Sequence, residues 1–77
     1  MKVRIRYFGR FAMEIGKFSE EIEIRDGATV RELIKMLRER YPALKNEEIE
    51  VSIDGKYAPE DMPLTYEVSV YPMISGG

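Results

Sequence analysis

One long stretch of this chain carries a helical period of apolar residues, and what flanks it is written largely in a period of two. In "ATVRELIKMLRERYP", Val30, Leu33, Ile34, Leu37 and Tyr41 recur at the three-and-four spacing that puts them on one face of a helix. A lone long helix has a single apolar stripe and needs a single apolar surface to cover. Strands must supply that surface, so the chain is constrained toward one sheet with one main helix laid across it. The helix boundaries are also legible. Asp26-Gly27 is a turn pair, Thr29 stands at the N-cap position, and Glu32 follows three residues later, the form of a capping box. Pro42 predicts an end at about Tyr41, because a residue before proline is pushed out of the helical region.

The strands are read from alternation. "KVRIRYF" places Val3, Ile5 and Tyr7 on one face and Lys2, Arg4 and Arg6 on the other. "FSEEIEIR" places Phe18, Ile22 and Ile24 on one parity, with Glu21 and Glu23 opposite. Antiparallel pairing of these two would set a basic face beside an acidic one, each cross-strand pair contributing about 0.2–1 kcal/mol. The connection "GRFAMEIGK" holds a helical turn over Arg10 to Ile15, closed by Gly16. A third strand carries Ile49, Val51 and Ile53, Asp54-Gly55 marks a turn, and "KYA" is a short return strand. Tyr66, Val68 and Val70 alternate in the last strand, which is expected to end at Tyr71, since Pro72 has no N–H for a ladder. The order is β–(short α)–β–α–β–β–β, an α+β class. Met13 and Met36 are expected to fill the core or line a helix edge.

Composition narrows the function. The 77 residues make one small domain with no room for a pocket walled on all sides. Such a chain suits being carried, bound or conjugated. Cys and His are both absent, which removes disulfides, a thiolate nucleophile, the commonest general base and the commonest metal ligand. No Ser-His-Asp arrangement is possible, and the glycines match no phosphate-binding loop. A net charge of −2 gives no footprint for nucleic acid, and no apolar run approaches a membrane span. The N-terminal alternation is unlike a signal peptide, so a cytoplasmic protein is expected. The carboxylates Glu47, Glu48, Glu50, Glu60 and Asp61 fit no EF-hand spacing and read as a solvated face, with metal ligation none. The basic stripe Lys2, Arg4, Arg6 and Arg10 reads as a solvent face balanced by Glu21 and Glu23; the alternative is docking of an acidic partner.

The tail "YPMISGG" divides the chain into a domain over residues 1–71 and a flexible tail over 72–77. Met73 and Ile74 are apolar residues beyond the last strand, and grouped exposed apolar residues mark contact surfaces. Gly76 and Gly77 are bare backbone. A terminal carboxylate is ionised at neutral pH and a poor electrophile, so it reacts only after activation. Glycine backbone can pass a narrow channel and adopt φ values closed to other residues, and six extended residues reach about 20 Å.

The whole chain resembles the MoaD/ThiS family of ubiquitin-like sulfur carriers, on the residues Tyr7-Phe8-Gly9-Arg10-Phe11-Ala12-Met13-Glu14-Ile15-Gly16, the helix opening "ATVRELIKML", and the tail Tyr71, Pro72, Ile74, Ser75, Gly76 and Gly77. Met73 stands where the family has a second proline. The resemblance implies a β-grasp fold, a mixed sheet of four to five strands covered by one main helix. It implies that an E1-like adenylating enzyme activates the Gly77 carboxylate with ATP, and that sulfur then makes a Gly77 thiocarboxylate. Ser75 and Gly76 would thread into the partner, while Phe8, Tyr71, Pro72, Met73 and Ile74 would bind it. The second partner would be the large subunit of molybdopterin synthase, where the sulfur is given to a pterin precursor. No cofactor would be bound permanently, and the catalytic side chains would belong to the partners. The same activated tail also suits a ubiquitin-like modifier joined to lysines through Gly77, or a sulfur carrier of the thiamine or tRNA type.

Overall fold

A computed structural model describes residues 1–73 of the chain. Its elements run β1 (Lys2–Tyr7), α1 (Arg10–Ile15), β2 (Ser19–Glu23), α2 (Val30–Arg40), a 3-10 turn (Pro42–Leu44), β3 (Ile49–Ile53), β4 (Lys56–Tyr57) and β5 (Glu67–Pro72). The five strands form one sheet in the order β2-β1-β5-β3-β4. β1 pairs antiparallel with β2 and parallel with β5, and β3 pairs antiparallel with both β5 and β4. A mixed sheet crossed by one main helix, with the last strand at its centre, is the β-grasp arrangement.

The core follows from the two periods meeting. Val3, Ile5 and Tyr7 of β1, Val51 and Ile53 of β3, and Val68 and Val70 of β5 turn one face of the sheet inward. Val30, Leu33, Ile34 and Leu37 of α2 press onto it, and Phe11 of α1 and Leu44 of the 3-10 turn close one end. Burial of each such aliphatic side chain stabilises by about 1.5–3 kcal/mol. The opposite face of β1 is exposed, and its register with β2 sets Lys2 against Glu23 and Arg4 against Glu21, as the alternation predicts. Asp54 and Gly55, both at positive φ, make the two-residue turn between β3 and β4. Among the described residues no helix is long and apolar enough to cross a membrane.

The N-terminus of α2 departs from the expected capping box. Thr29 has the extended backbone of an N-cap residue but makes no side-chain cap bond. The first helical donors are satisfied from elsewhere: Val30 N–H donates to the Met62 carbonyl and Arg31 N–H to the Glu60 carbonyl, both at 2.9 Å. Glu32, freed from capping, accepts from the Arg25 guanidinium, Nε to Oε2 at 2.8 Å. The loop over residues 59–63 therefore caps the helix with its own backbone, which no local spacing could reveal.

β2 holds a second departure. Phe18 shares the parity of Ile22 but lies just before the start of the strand and stays 78% exposed. Glu20, on the same inward parity, is the residue that turns toward the core edge. Its Oε2 accepts hydrogen bonds from both the Tyr7 and the Tyr41 phenols, whose rings meet edge to face. Lys17 Nζ and Arg40 Nη1 lie 3.5 and 3.6 Å from its Oε1. A half-buried carboxylate survives there because two phenols hydrogen-bond one of its oxygens and two cations flank the other. Met13 is exposed at the helix edge and Met36 packs partly against the core.

Two outcomes follow from these contacts. Thr29→Ala should cost well under the ~1 kcal/mol of a true N-cap loss, whereas Leu33→Ala should cost about 2–5 kcal/mol, both read from urea denaturation midpoints. Burial alone would raise the Glu20 carboxyl, but the bonds from Tyr41 and Tyr7 and the charge of Lys17 outweigh it and hold the group below its ordinary range. The folded form then gains stability above the unfolded pKa of a glutamate, and loses it as pH falls through the lower folded value. Glu20→Gln should therefore cost about 1–3 kcal/mol at pH 7 and give a flatter fall in stability below about pH 4.5, measured by melts across pH.

Candidate functional site

The end of the sheet where β5 leaves gathers the residues that sequence reasoning singled out. β1 and β5 run parallel, so both finish at the same edge, and β2 and β3 begin there. Phe8 follows β1 directly, and its N–H donates to the Val70 carbonyl at 3.0 Å. Tyr71 and Pro72 are half-buried at the end of β5, and Met73, just beyond, is 44% exposed. Phe8 itself is 47% exposed. Phe8, Tyr71, Pro72 and Met73 are thus brought to one end of the fold. Ile74, Ser75, Gly76 and Gly77, the remaining site residues expected from the sequence, lie outside the described residues.

The strand runs one residue farther than the proline rule predicts. Pro72 is the register partner of Ile49, and Met73 N–H still donates to the Glu48 carbonyl at 3.2 Å. The ladder tolerates Pro72 because its ring turns toward the side where β1 has already ended. There it meets Gly9, where an added Cβ would lie 3.5 Å from the ring's Cγ and Cδ. Gly9 stands at φ +61, a conformation side chains rarely take, and this lets the chain turn from β1 into α1 against Pro72.

Apolar surface surrounds this edge. A cleft of about 380 Å³ is lined by Arg6, Tyr7, Phe8, Gly9, Ala12 and Phe18. Phe18, at 78% exposure, is the barest of its hydrophobic side chains. On a chain this small, bare aromatic and methionine surface grouped at one edge is a candidate contact surface, since grouped exposed apolar residues mark interaction sites. Phe18 escaped sequence reasoning because its parity assigned it to the core.

The charged groups beside the edge hold it in shape. Arg10 donates to both carboxylate oxygens of Glu47 at 2.8 Å and to Glu14 at 3.2 Å. These bonds, with Glu47 first, raise the Arg10 guanidinium further, and the Arg10 bonds hold the Glu47 carboxyl below its ordinary range. Arg38 Nη2 donates to the Glu47 backbone carbonyl at 2.8 Å. Glu60 faces Arg31 at 3.6 Å. Glu47 and Glu60, read from the sequence as part of a solvated face, are thus committed to ion pairs. The Arg10–Glu47 pair joins residues 37 apart, a separation at which no local pattern gives a clue.

The ThiS family model matches residues 5–77, nearly the full length. This chain belongs to the ThiS family. A Caenorhabditis briggsae protein named molybdopterin synthase sulfur carrier subunit is 31% identical, the match covering 100% of this chain and 99% of that one. A protein of the same name from Mycobacterium tuberculosis is 28% identical with the same coverage. Among solved structures, a Pyrococcus furiosus protein assigned as molybdopterin converting factor, subunit 1, superposes with a TM-score of 0.85 at 31% identity, covering 96% of this chain and 99% of its own. The small archaeal modifier protein 1 of Haloferax volcanii superposes at 0.80 with 21% identity over 100% of both chains, and at that identity speaks to the fold alone. The two solved structures share the β-grasp fold of this chain.

Proposed function

We propose that this chain is a sulfur carrier protein acting as the small subunit of molybdopterin synthase, with the Gly77 carboxylate as its reactive group. The observation that carries the reading is the end-to-end correspondence with relatives named sulfur carrier subunits, in a family match that runs through Gly77. The apolar edge at Phe8 and Met73, placed where the chain leaves the sheet, supports it.

The chemistry asks little of this chain's side chains. An E1-like partner would bind ATP, and the Gly77 carboxylate would attack its α-phosphorus, releasing pyrophosphate and leaving an acyl adenylate. A sulfur nucleophile would then displace AMP to give the thiocarboxylate. In the large synthase subunit that sulfur would pass to the pterin precursor, and water would return the carboxylate. The folded domain contributes docking and orientation, which convert an encounter into an effectively unimolecular step. The catalytic acids, bases and thiols would come from the partners, consistent with a chain that has neither His nor Cys.

Intact-mass analysis of the protein isolated from its own cells should show one oxygen replaced by sulfur. Deletion of Gly77 should remove that species while leaving the melting temperature nearly unchanged. An unmodified carboxylate, with the chain found in isopeptide linkage to lysines of other proteins, would point to the modifier role. Separately, Phe8→Asp combined with Met73→Asp should weaken binding to the large subunit at least tenfold, about 1.4 kcal/mol or more by calorimetry, because two anchors lose their apolar burial.

A further inference from the structure

We propose that Arg10 is a positioning residue for the tail, a brace across the two walls between which β5 leaves the sheet. The first wall is the turn after β1, where Phe8 N–H holds the Val70 carbonyl and Gly9 packs against Pro72. The second is the loop before β3 with the strand's first residue: the Glu48 carbonyl takes the Met73 N–H at 3.2 Å and Ile49 pairs with Pro72. Arg10 follows Gly9 on the first wall and grips the Glu47 carboxylate of the second with two bonds of 2.8 Å. Arg38 of α2 fastens the same residue through its backbone carbonyl. Glu47 is thereby held by its side chain and its main chain, next to the residue that receives the last described strand bond.

An isolated exposed ion pair contributes little, but this one has the features that raise its worth. It is bidentate, and the Arg10 guanidinium also meets Glu14 and lies 5.5 Å from the centre of the Phe11 ring. Phe11 is fully buried, so the brace stands on the core. Its consequence is angular. Four residues beyond Met73 span at most about 13 Å when extended, so a swing of roughly 20° at Met73 moves their end by about 4–5 Å. Reacting atoms must come within about 3–3.5 Å, and a displacement of that size loses productive geometry.

This proposal rests on the sulfur-carrier reading for its function, but its structural half is measurable on the full chain alone. Amide hydrogen exchange by NMR would be compared for wild type, Arg10→Ala, Arg10→Glu, Glu47→Arg and the double exchange Arg10→Glu with Glu47→Arg. The single variants should raise exchange at Met73 by about threefold to tenfold relative to Val51 and Val68, and the double exchange should restore it. In ATP–pyrophosphate exchange with the adenylating enzyme of the same cells, the single variants should lower kcat by about threefold to tenfold with KM within about twofold, as the productive fraction falls. The double exchange should recover kcat. Unchanged Met73 exchange, or an equal rise at Val51 and Val68, overturns the brace. Altered Met73 exchange with kcat unchanged overturns its role in positioning. A wild-type chain that is never adenylated overturns the sulfur-carrier reading, while the exchange result still decides whether the brace exists.

Discussion

The parallel pairing of β1 with β5 is the contact on which the rest of this structure depends. It joins the first strand to the last, with Tyr7 opposite Val70 and Arg4 opposite Glu67. Parallel neighbours need a long crossover between them, and here nearly the whole chain is that crossover. α2 lies within it and covers the face where Ile5, Val68 and Val70 are buried together. The same pairing puts β5 at the centre of the sheet, flanked by β1 and β3. A strand in that place is among the best held parts of the fold, and it is the strand that leads to the C-terminal segment.

The end of β5 is held from both sides. The domain supplies a fixed departure point, built from backbone bonds at Phe8 and Met73, a glycine at positive φ against a proline, and ion pairs around Glu47. Exposed apolar surface at Phe8, Phe18 and Met73 stands at that end of the sheet. In the proposed carrier role, such a fixed edge would serve to present a group to a protein that supplies the catalysis.

Much of the fold was legible because it is written in local periods. The helix over Val30–Arg40 follows from its apolar spacing, and β1, β3 and β5 from their alternation. Where local rules misled, a distant neighbour had intervened. Thr29 and Glu32 have the form of a capping box, yet the carbonyls of Glu60 and Met62 reach the helix donors and Arg25 takes Glu32. Phe18 has the parity of a core residue, but the strand begins after it. Nothing in the local pattern marks Glu20, which Tyr7 and Tyr41 bind from two other elements. Pro72 should stop the ladder, and does not, because its missing donor faces the side where β1 has ended.

The sequence by itself determined the kind of protein this is: one main helix, alternating strands, no Cys or His, and Gly76 and Gly77 after the last apolar residues. Those are properties of residue type and local spacing, which the chain carries whether folded or not. Only the tertiary structure decided that Phe8 and Met73 share an edge, that Glu20 is enclosed by two phenols, and that Arg10 reaches Glu47 beside the departing strand. Such contacts join residues up to dozens of positions apart, and their existence depends on which strands become neighbours. That choice is made by the burial of all the apolar faces at once, and no single stretch of sequence records it.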